Sequence, residues 1–194
     1  MLSTPVVYSV GHSLHKVERF IDILRLYDIE TLLDVRSAPS STRAPQFNRK
    51  ALKESLELHG LRYLFGGAQL GGGPRGTDFY DDEGRALYWK MASTEDFSSG
   101  IDGLVKLAGQ SRTAIMCSEE DPKDCHRRLL IGKVILRLGV DMIHLRGDGS
   151  QNREPRDDSL TASQSSLFGS NGDENWKSIR SVLLRNQHPS SSNY

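Results

Sequence analysis

Reactive side chains are concentrated in one stretch of the chain, MCSEEDPKDCHRR, residues 116–128. Five of its side chains are candidates for chemistry, namely Cys117, Glu119, Cys125, His126 and Arg127. Asp121 followed by Pro122 is typical of a helix start, which places Cys125 near the first turn of a helix. A helix dipole and neighbouring cations stabilise a thiolate, so we expect a reactive thiol at Cys125. The alternative is a small buried cysteine that packs against the sheet.

The same stretch raises the question of a metal ion. Zinc binds thiolate, imidazole and carboxylate groups, and the two cysteines with His126 and Glu119 offer such a set. The second cysteine follows the first by eight positions, however, unlike the short spacing of zinc ribbons. Adjacent Cys and His residues also rarely direct their side chains at one ion. The sequence therefore predicts no metal and no cofactor.

Two further motifs bring polar residues to the ends of apolar runs. YSVGHS carries His12 and Ser13, and LLDVR carries Asp34 and Arg36. His12 suits a general base or a phosphate ligand, with a structural turn histidine as the alternative. Asp34 and Arg36 alternate along a strand end and face the same side. Either they pair and hold a loop, or Arg36 binds an anionic substrate while Asp34 orients His12 or a water.

A glycine-rich segment, LFGGAQLGGGPRG, follows a third apolar run. It lacks the Gly-Lys-Ser/Thr ending of a P-loop, and no G-x-G-x-x-G opens a helix after the first apolar run. We interpret it as a flap over the site, with Arg75 reaching inward. A flexible surface connection is the alternative. In sum, catalytic roles are expected for His12, Asp34, Glu119 and Cys125, and substrate contacts for Ser13, Arg36, Arg75, Cys117, His126 and Arg127.

The elements that must position these residues follow from the alternation of apolar runs and helical patterns. Strands are expected at residues 5–10, 31–36, 61–65, 111–117 and 141–145, with helices between them. This alternation predicts an α/β fold, a single three-layer domain over residues 1–147 with a mainly parallel sheet of about five strands. Ligands bind at the carboxyl ends of such strands, where the candidate residues lie. Residues 148–194 are expected to be a polar, flexible tail, with a short docked helix at 175–185.

Composition limits the classes of function. The chain has 194 residues, enough for one core, and its 25 basic and 25 acidic side chains cancel. The whole molecule therefore lacks the positive field typical of nucleic-acid-binding proteins, although a local basic patch remains open. Two cysteines do not make a disulfide framework. With no leader-like or membrane-spanning run, we expect a cytoplasmic protein without a membrane partner.

Four spaced motifs resemble one family. YSVGHS, LLDVRSAPSS, GLRYLFGGAQLGG and MCSEEDPKDCHRRLLIGKVI resemble the domain-of-unknown-function family 488, over roughly Val6 to Leu145. The resemblance falls on Gly11, His12, Ser13, Asp34, Arg36, Cys117, Glu119, Cys125, His126 and Arg127. It implies that these residues form a site, and it names no reaction.

The tail contains QSSLF, residues 164–168. This resembles the Gln-x-x-Leu-Phe peptide with which bacterial DNA-handling proteins dock on the replication sliding clamp. Gln164, Leu167 and Phe168 would be its contacts, since such peptides place apolar anchors in a pocket. The alternative is a tail hydrophobe that covers the protein's own surface.

Three functions are open from the sequence. The first is an enzyme on a nucleotide, nucleic acid or other phosphate-bearing substrate, linked to DNA repair or replication if the clamp peptide is real. Its acid–base pair would be His12 with Asp34 or Glu119. The second is a thiol enzyme or redox sensor, with Cys125 as nucleophile and Cys117 as resolving partner. The third is a non-catalytic module that binds a small anion in the same crevice.

Overall fold

The computed structural model describes residues 4–156 and 175–182 of the chain. Within these residues one sheet has the strand order β3-β2-β4-β1-β5-β6. The strands are β1 (Val6–Gly11), β2 (Thr31–Asp34), β3 (Arg62–Phe65), β4 (Thr113–Cys117), β5 (Asp141–Leu145) and β6 (Gln151–Arg153). The first five are mutually parallel, and β6 pairs antiparallel with β5. The predicted α/β class with a mainly parallel sheet is confirmed.

Helices connect the parallel strands. They are α1 (Val17–Leu26), α2 (Arg49–Leu58), α3 (Gly67–Leu70), α4 (Tyr88–Ala92), α5 (Glu95–Ala108) and α6 (Lys133–Arg137), and a π-helical segment, Arg127–Gly132, runs directly into α6. Short 3-10 turns occupy Pro45–Phe47, Thr77–Phe79 and Pro122–Asp124. Thr94 caps α5 by accepting a hydrogen bond from the Phe97 amide. Asn48 stands at the N-cap of α2, but its side chain accepts from the Ser41 amide instead.

Two apolar cores lie on opposite faces of the sheet, so the domain has three layers. The alternation of strand residues creates them, because successive side chains point to opposite faces. Val7, Leu33, Ile115 and Met142 pack against α4, α5, the π-helical segment and α6. Tyr8, Leu32, Ala114 and Ile143 pack against α1 and α2. The rigid sheet between the cores fixes the position of every strand end.

The structure differs from the sequence prediction in three places. The sheet gains β6, beyond residue 147, whose residues are exposed and carry no apolar alternation. Residues 175–182 contain no helix: Lys177 forms a β-bridge with Leu87, and the Trp176 indole donates to the Leu129 carbonyl over 2.6 Å. The predicted helix from Pro122 is interrupted at Cys125. The QSSLF peptide lies outside the described residues, and none of the described helices is long and apolar enough to cross a membrane.

Candidate functional site

The carboxyl ends of β1, β2 and β4 meet at one edge of the sheet. Backbone hydrogen bonds extend past the strands, from the His12 amide to the Cys117 carbonyl at 3.0 Å and from the Ser13 amide to the Ser118 carbonyl at 2.9 Å. Gly11 permits this contact, since a Cβ there would lie 1.9 Å from the Glu119 carbonyl oxygen. Segments 11–13, 34–36 and 117–127 are thus brought together, as the sequence predicts.

His12, Asp34 and Arg36 form a buried hydrogen-bonded group. The Arg36 guanidinium donates to both Asp34 oxygens, at 2.9 and 2.6 Å, and to the Phe47 carbonyl at 2.8 Å. Its third nitrogen lies 3.0 Å from His12 Nε2, and the Tyr63 hydroxyl donates to Asp34 Oδ2 over 2.8 Å. Each guanidinium nitrogen therefore has a protein partner. Of the two interpretations of Asp34 and Arg36, the paired, loop-holding one describes this geometry.

His12 is a buried neutral imidazole. Its Nδ1 lies 2.8 Å from the Ser13 carbonyl, which only accepts, so Nδ1 carries the proton and Nε2 accepts from Arg36. Burial, assisted by the positive charge of Arg36, lowers the His12 pKa to about 4. The ring also stacks on Phe47, with centroids 4.3 Å apart. Ser13, at φ 45°, makes the tight turn that follows. Both ring nitrogens are occupied, so His12 has no free position for a general base.

Cys117, Glu119, Cys125 and His126 form a second group, which we call the thiol cluster. Glu119 Oε2 lies 2.8 Å from Cys117 Sγ and 3.2 Å from Cys125 Sγ. His126 Nδ1 lies 3.6 Å from Cys117 Sγ and 3.7 Å from Cys125 Sγ. The sulfurs and this nitrogen all lie within 4.8 Å of one another. Four groups with lone pairs therefore face a common centre.

The backbone at Cys125 explains how adjacent residues reach one centre. Asp121 accepts from the Lys123 amide and Pro122 starts a 3-10 turn, but this turn ends at Cys125. Cys125 is extended (φ −102°, ψ 142°), whereas His126 is helical (φ −58°, ψ −22°). The Cys125 carbonyl accepts from Leu129, so the longer helix begins here. This break aims both side chains at the same point and puts Cys125 at a helix start.

The two thiols are inequivalent. Burial alone would raise the Cys125 pKa, but the hydrogen bond from Cys117 and the charge of His126 hold that pKa well below its ordinary value. The hydrogen bond to Cys125, together with burial, raises the Cys117 pKa. Burial opposes charging of His126, yet the Cys125 thiolate raises its pKa. The cluster therefore favours a thiolate at Cys125 next to an imidazolium, with Cys117 as a thiol.

Arg127 links the thiol cluster to a buried network that the sequence did not reveal. Its Nε donates to Cys125 Sγ over 3.3 Å, and its Nη1 donates to Ser9 Oγ over 3.1 Å. Ser9 Oγ lies 2.6 Å from His144 Nδ1, and His144 Nε2 lies 3.1 Å from Glu154. The only sequence signal for Ser9 and His144 was a polar residue inside an apolar strand. The network fixes the guanidinium, which is fully buried.

A cavity of about 570 Å³ lies over the thiol cluster. All four cluster residues line it, as do Arg36 and Arg75, whereas His12, Ser13, Asp34 and Arg127 do not. Residues 72–76 of the glycine segment form one wall, and the other wall is Ser178, Arg180, Ser181 and Val182. Arg180 pairs with Asp124 over 3.0 Å at the rim. Sequence reasoning missed this second wall, because its contacts join residues distant in the chain.

The glycine segment covers the cluster closely. A Cβ at Gly72 would lie 2.6 Å from the His126 ring, so only glycine fits there without displacement. The Gly73 amide donates to Ser37 Oγ over 2.8 Å. Arg75 lines the cavity, is exposed, and has no ion pair within the described part of the chain. This fits the predicted position of the flap.

Comparisons with known proteins give one match. Residues 16–134 match the model of a family described as "Domain of unknown function DUF488". No curated protein and no solved structure matches the chain.

Proposed function

Since the chain belongs to the DUF488 family of unknown function, we propose its activity from its own site: it is an enzyme that binds a phosphate-bearing substrate in the cavity and transforms it at the thiol cluster. One observation carries this proposal. Two cysteine sulfurs, an imidazole ring and a carboxylate lie on the floor of a cavity large enough for a small-molecule group, which is the usual arrangement of an active site. Reactive groups that served only packing would not need an open cavity.

The cavity wall favours an anionic substrate. Among the residues that the structure describes, none forms an ion pair with Arg75, which lines the cavity. A guanidinium group can bind a phosphate through two parallel hydrogen bonds. The helix that begins after Cys125 directs its positive end toward the same floor. Glu119 is the acid–base group that reaches the cavity, a role His12 and Asp34 do not share because they do not line it.

Nucleotides and nucleic acids are included in this substrate class. The QSSLF peptide supports DNA as the phosphate-bearing substrate, since clamp binding would bring the protein to DNA that is being replicated or repaired. The segment from Arg36 to Lys53, which also carries Arg43, Arg49 and Lys50, is basic and supports DNA less strongly. Arg49 lies over the Phe65 ring and Lys53 pairs with Glu57, which is typical of a solvated helix face.

Thermal unfolding with a ligand panel tests the proposal. The panel is inorganic phosphate, a nucleoside monophosphate and a short single-stranded oligonucleotide. At a hundredfold excess over its dissociation constant, a ligand adds roughly 2.7 kcal/mol, so the melting temperature should rise by several degrees. Arg75→Gln should remove most of this rise, whereas Arg43→Gln, on an exposed loop outside the cavity, should keep it. No rise with any phosphate compound would refute the proposal, and binding without turnover would leave an anion-binding module.

A thiol enzyme or redox sensor is the second candidate, favoured by the contacts of Cys125 with Arg127 and His126. A peroxide would oxidise the Cys125 thiolate to a sulfenic acid. The Cys117 thiol would then displace water and form a disulfide. Rapid alkylation of Cys125 below neutral pH, together with a peroxide-dependent loss of both free thiols, would select this candidate. Slow alkylation that follows an ordinary cysteine pKa would exclude it.

A further inference from the structure

We propose that Cys117, Cys125 and His126 bind a zinc ion, and that Glu119 is its fourth ligand on the cavity side while no substrate is bound. This supplies a cofactor for the thiol cluster and stands independently of the substrate proposed above. Zinc takes four ligands in tetrahedral geometry, and two thiolates with one imidazole leave a position that faces a substrate in known catalytic sites. Hard ions such as magnesium and calcium avoid such sulfur-rich sites.

The distances from His126 Nδ1 to the two sulfurs fit a tetrahedron. In a tetrahedral site, zinc–sulfur bonds of about 2.3 Å and zinc–nitrogen bonds of about 2.0 Å place the sulfur and the nitrogen about 3.5 Å apart. His126 Nδ1 lies 3.6 Å from one sulfur and 3.7 Å from the other. Glu119 Oε2 lies 2.8 Å from one sulfur and 3.2 Å from the other. A sulfur and an oxygen that bind the same tetrahedral zinc ion lie roughly 3.5 Å apart, so this oxygen is closer to the sulfurs than a zinc ligand would be. A small movement of this exposed residue gives the required separation.

The proton on His126 is on the correct nitrogen. Its Nε2 lies 3.0 Å from the Val35 carbonyl oxygen, and that oxygen only accepts, so Nε2 carries the proton. In the neutral ring this directs the Nδ1 lone pair at the two sulfurs. Histidine ligands of metals commonly donate their other N–H to a backbone carbonyl in this way, which fixes both tautomer and orientation. Gly72 packs directly on the ring.

The local charges balance when a divalent ion is added. Two thiolates and one carboxylate carry three negative charges, and zinc with the Arg127 guanidinium carries three positive charges. Arg127 is fully buried and contacts Cys125 Sγ, so its charge acts directly on a ligand.

The sequence prediction of no metal rests on two arguments, the interval between the cysteines and the adjacency of Cys125 and His126. The second argument is that adjacent Cys and His residues rarely direct their side chains at one ion. Here the extended Cys125 precedes the helical His126, which removes that objection. Cys117 is the last residue of β4, and a loop followed by the 3-10 turn Pro122–Asp124 leads from it to Cys125. This path brings the second cysteine back to the first, although eight positions separate them.

Metal analysis of the full-length chain tests the proposal. The protein is stripped with a chelator, loaded with excess zinc, desalted and measured by elemental analysis. We expect close to one zinc per chain in the wild type, and at least a tenfold decrease in Cys125→Ser and in His126→Gln. His59→Gln, which removes an exposed histidine on the end of α2, should keep the wild-type content. Wild-type protein without zinc, or ligand variants that are folded and retain full zinc, would overturn the proposal.

Cobalt substitution decides the matter if the ligand variants do not fold. Cobalt in the wild-type site should give intense thiolate-to-metal charge-transfer absorption and should protect both cysteines from alkylation. A stoichiometric metal without this absorption would place the ion elsewhere and overturn the proposal. Zinc content is read without any substrate. A protein that binds a phosphate compound but takes up no zinc would therefore refute this inference alone. A protein that takes up one zinc per chain but binds no phosphate compound would refute only the proposed function.

Discussion

The Arg127 Nε atom lies 3.3 Å from the Sγ atom of Cys125, and the whole arginine side chain is buried. Removing this cation should destabilise the thiolate. We therefore expect Arg127→Met to raise the apparent pKa of Cys125 in metal-free protein. The rate of alkylation as a function of pH measures this, with Arg128→Gln, which removes a cation paired to Glu154, as the control. An unchanged pH profile would mean that the contact does not stabilise the thiolate.

The Asp34–Arg36 ion pair tests whether the buried hydrogen-bonded group of His12, Asp34 and Arg36 stabilises the fold. Both side chains are buried and doubly hydrogen-bonded, so Asp34→Asn leaves a guanidinium without its counter-charge. Breaking a buried pair costs about 3–5 kcal/mol, and urea unfolding should show a loss of that size. Glu57→Gln, which breaks an exposed pair with Lys53, should cost less than about 1 kcal/mol. Equal losses in the two variants would contradict the buried role.

His12 predicts how stability depends on pH. Its pKa is about 4 in the folded protein and about 6.5 when unfolded, so the unfolded chain takes up the proton first as pH falls. The stability that neutral His12 contributes is fully present above pH 6.5 and is lost as the pH falls to about 4. This loss lowers the free energy of unfolding by at most about 3 kcal/mol. Denaturant unfolding between pH 7 and 4 measures it. His12→Gln should flatten this part of the curve, and an unchanged slope would show that other groups cause it.

Gly72 and Gly103 form a matched pair of glycines. A Cβ at Gly72 would lie 2.6 Å from His126, so Gly72→Ala should displace the ring or the flap and cost about 1–3 kcal/mol. A Cβ at Gly103, on the exposed side of α5, would have nothing within 4 Å. Gly103→Ala should therefore stabilise by about 0.5–1 kcal/mol through helix propensity. Melting temperatures that shift in the same direction would contradict the close packing over His126.

The strand ends show what sequence patterns can predict. β5 was predicted with its bounds, Asp141–Leu145, and β4 ends at Cys117 as expected, because apolar runs and flanking polar residues mark buried parallel strands. The parallel-sheet rule then brought His12, Asp34 and Cys117 to one edge. Both steps depend on local patterns and on a general rule of topology.

Side-chain roles were less predictable. Cys125 was expected inside a continuous helix, and a single extended residue there decides where its thiol points. Arg36 was expected to be available to a substrate, yet Asp34, Phe47 and His12 occupy all of its nitrogens. β6 has no apolar pattern and forms because β5 offers a free edge. These outcomes depend on contacts between distant segments, which no local pattern records.

A crystal structure of the full-length chain, with an anomalous difference map at the zinc edge, tests the central claim most directly. The claim is that the thiol cluster converges on the floor of one cavity. We predict that Cys117 Sγ, Cys125 Sγ and His126 Nδ1 lie within 4.8 Å of one another around a zinc peak, below residues 72–76. A map in which either sulfur points away from His126, with no peak between them, would contradict it.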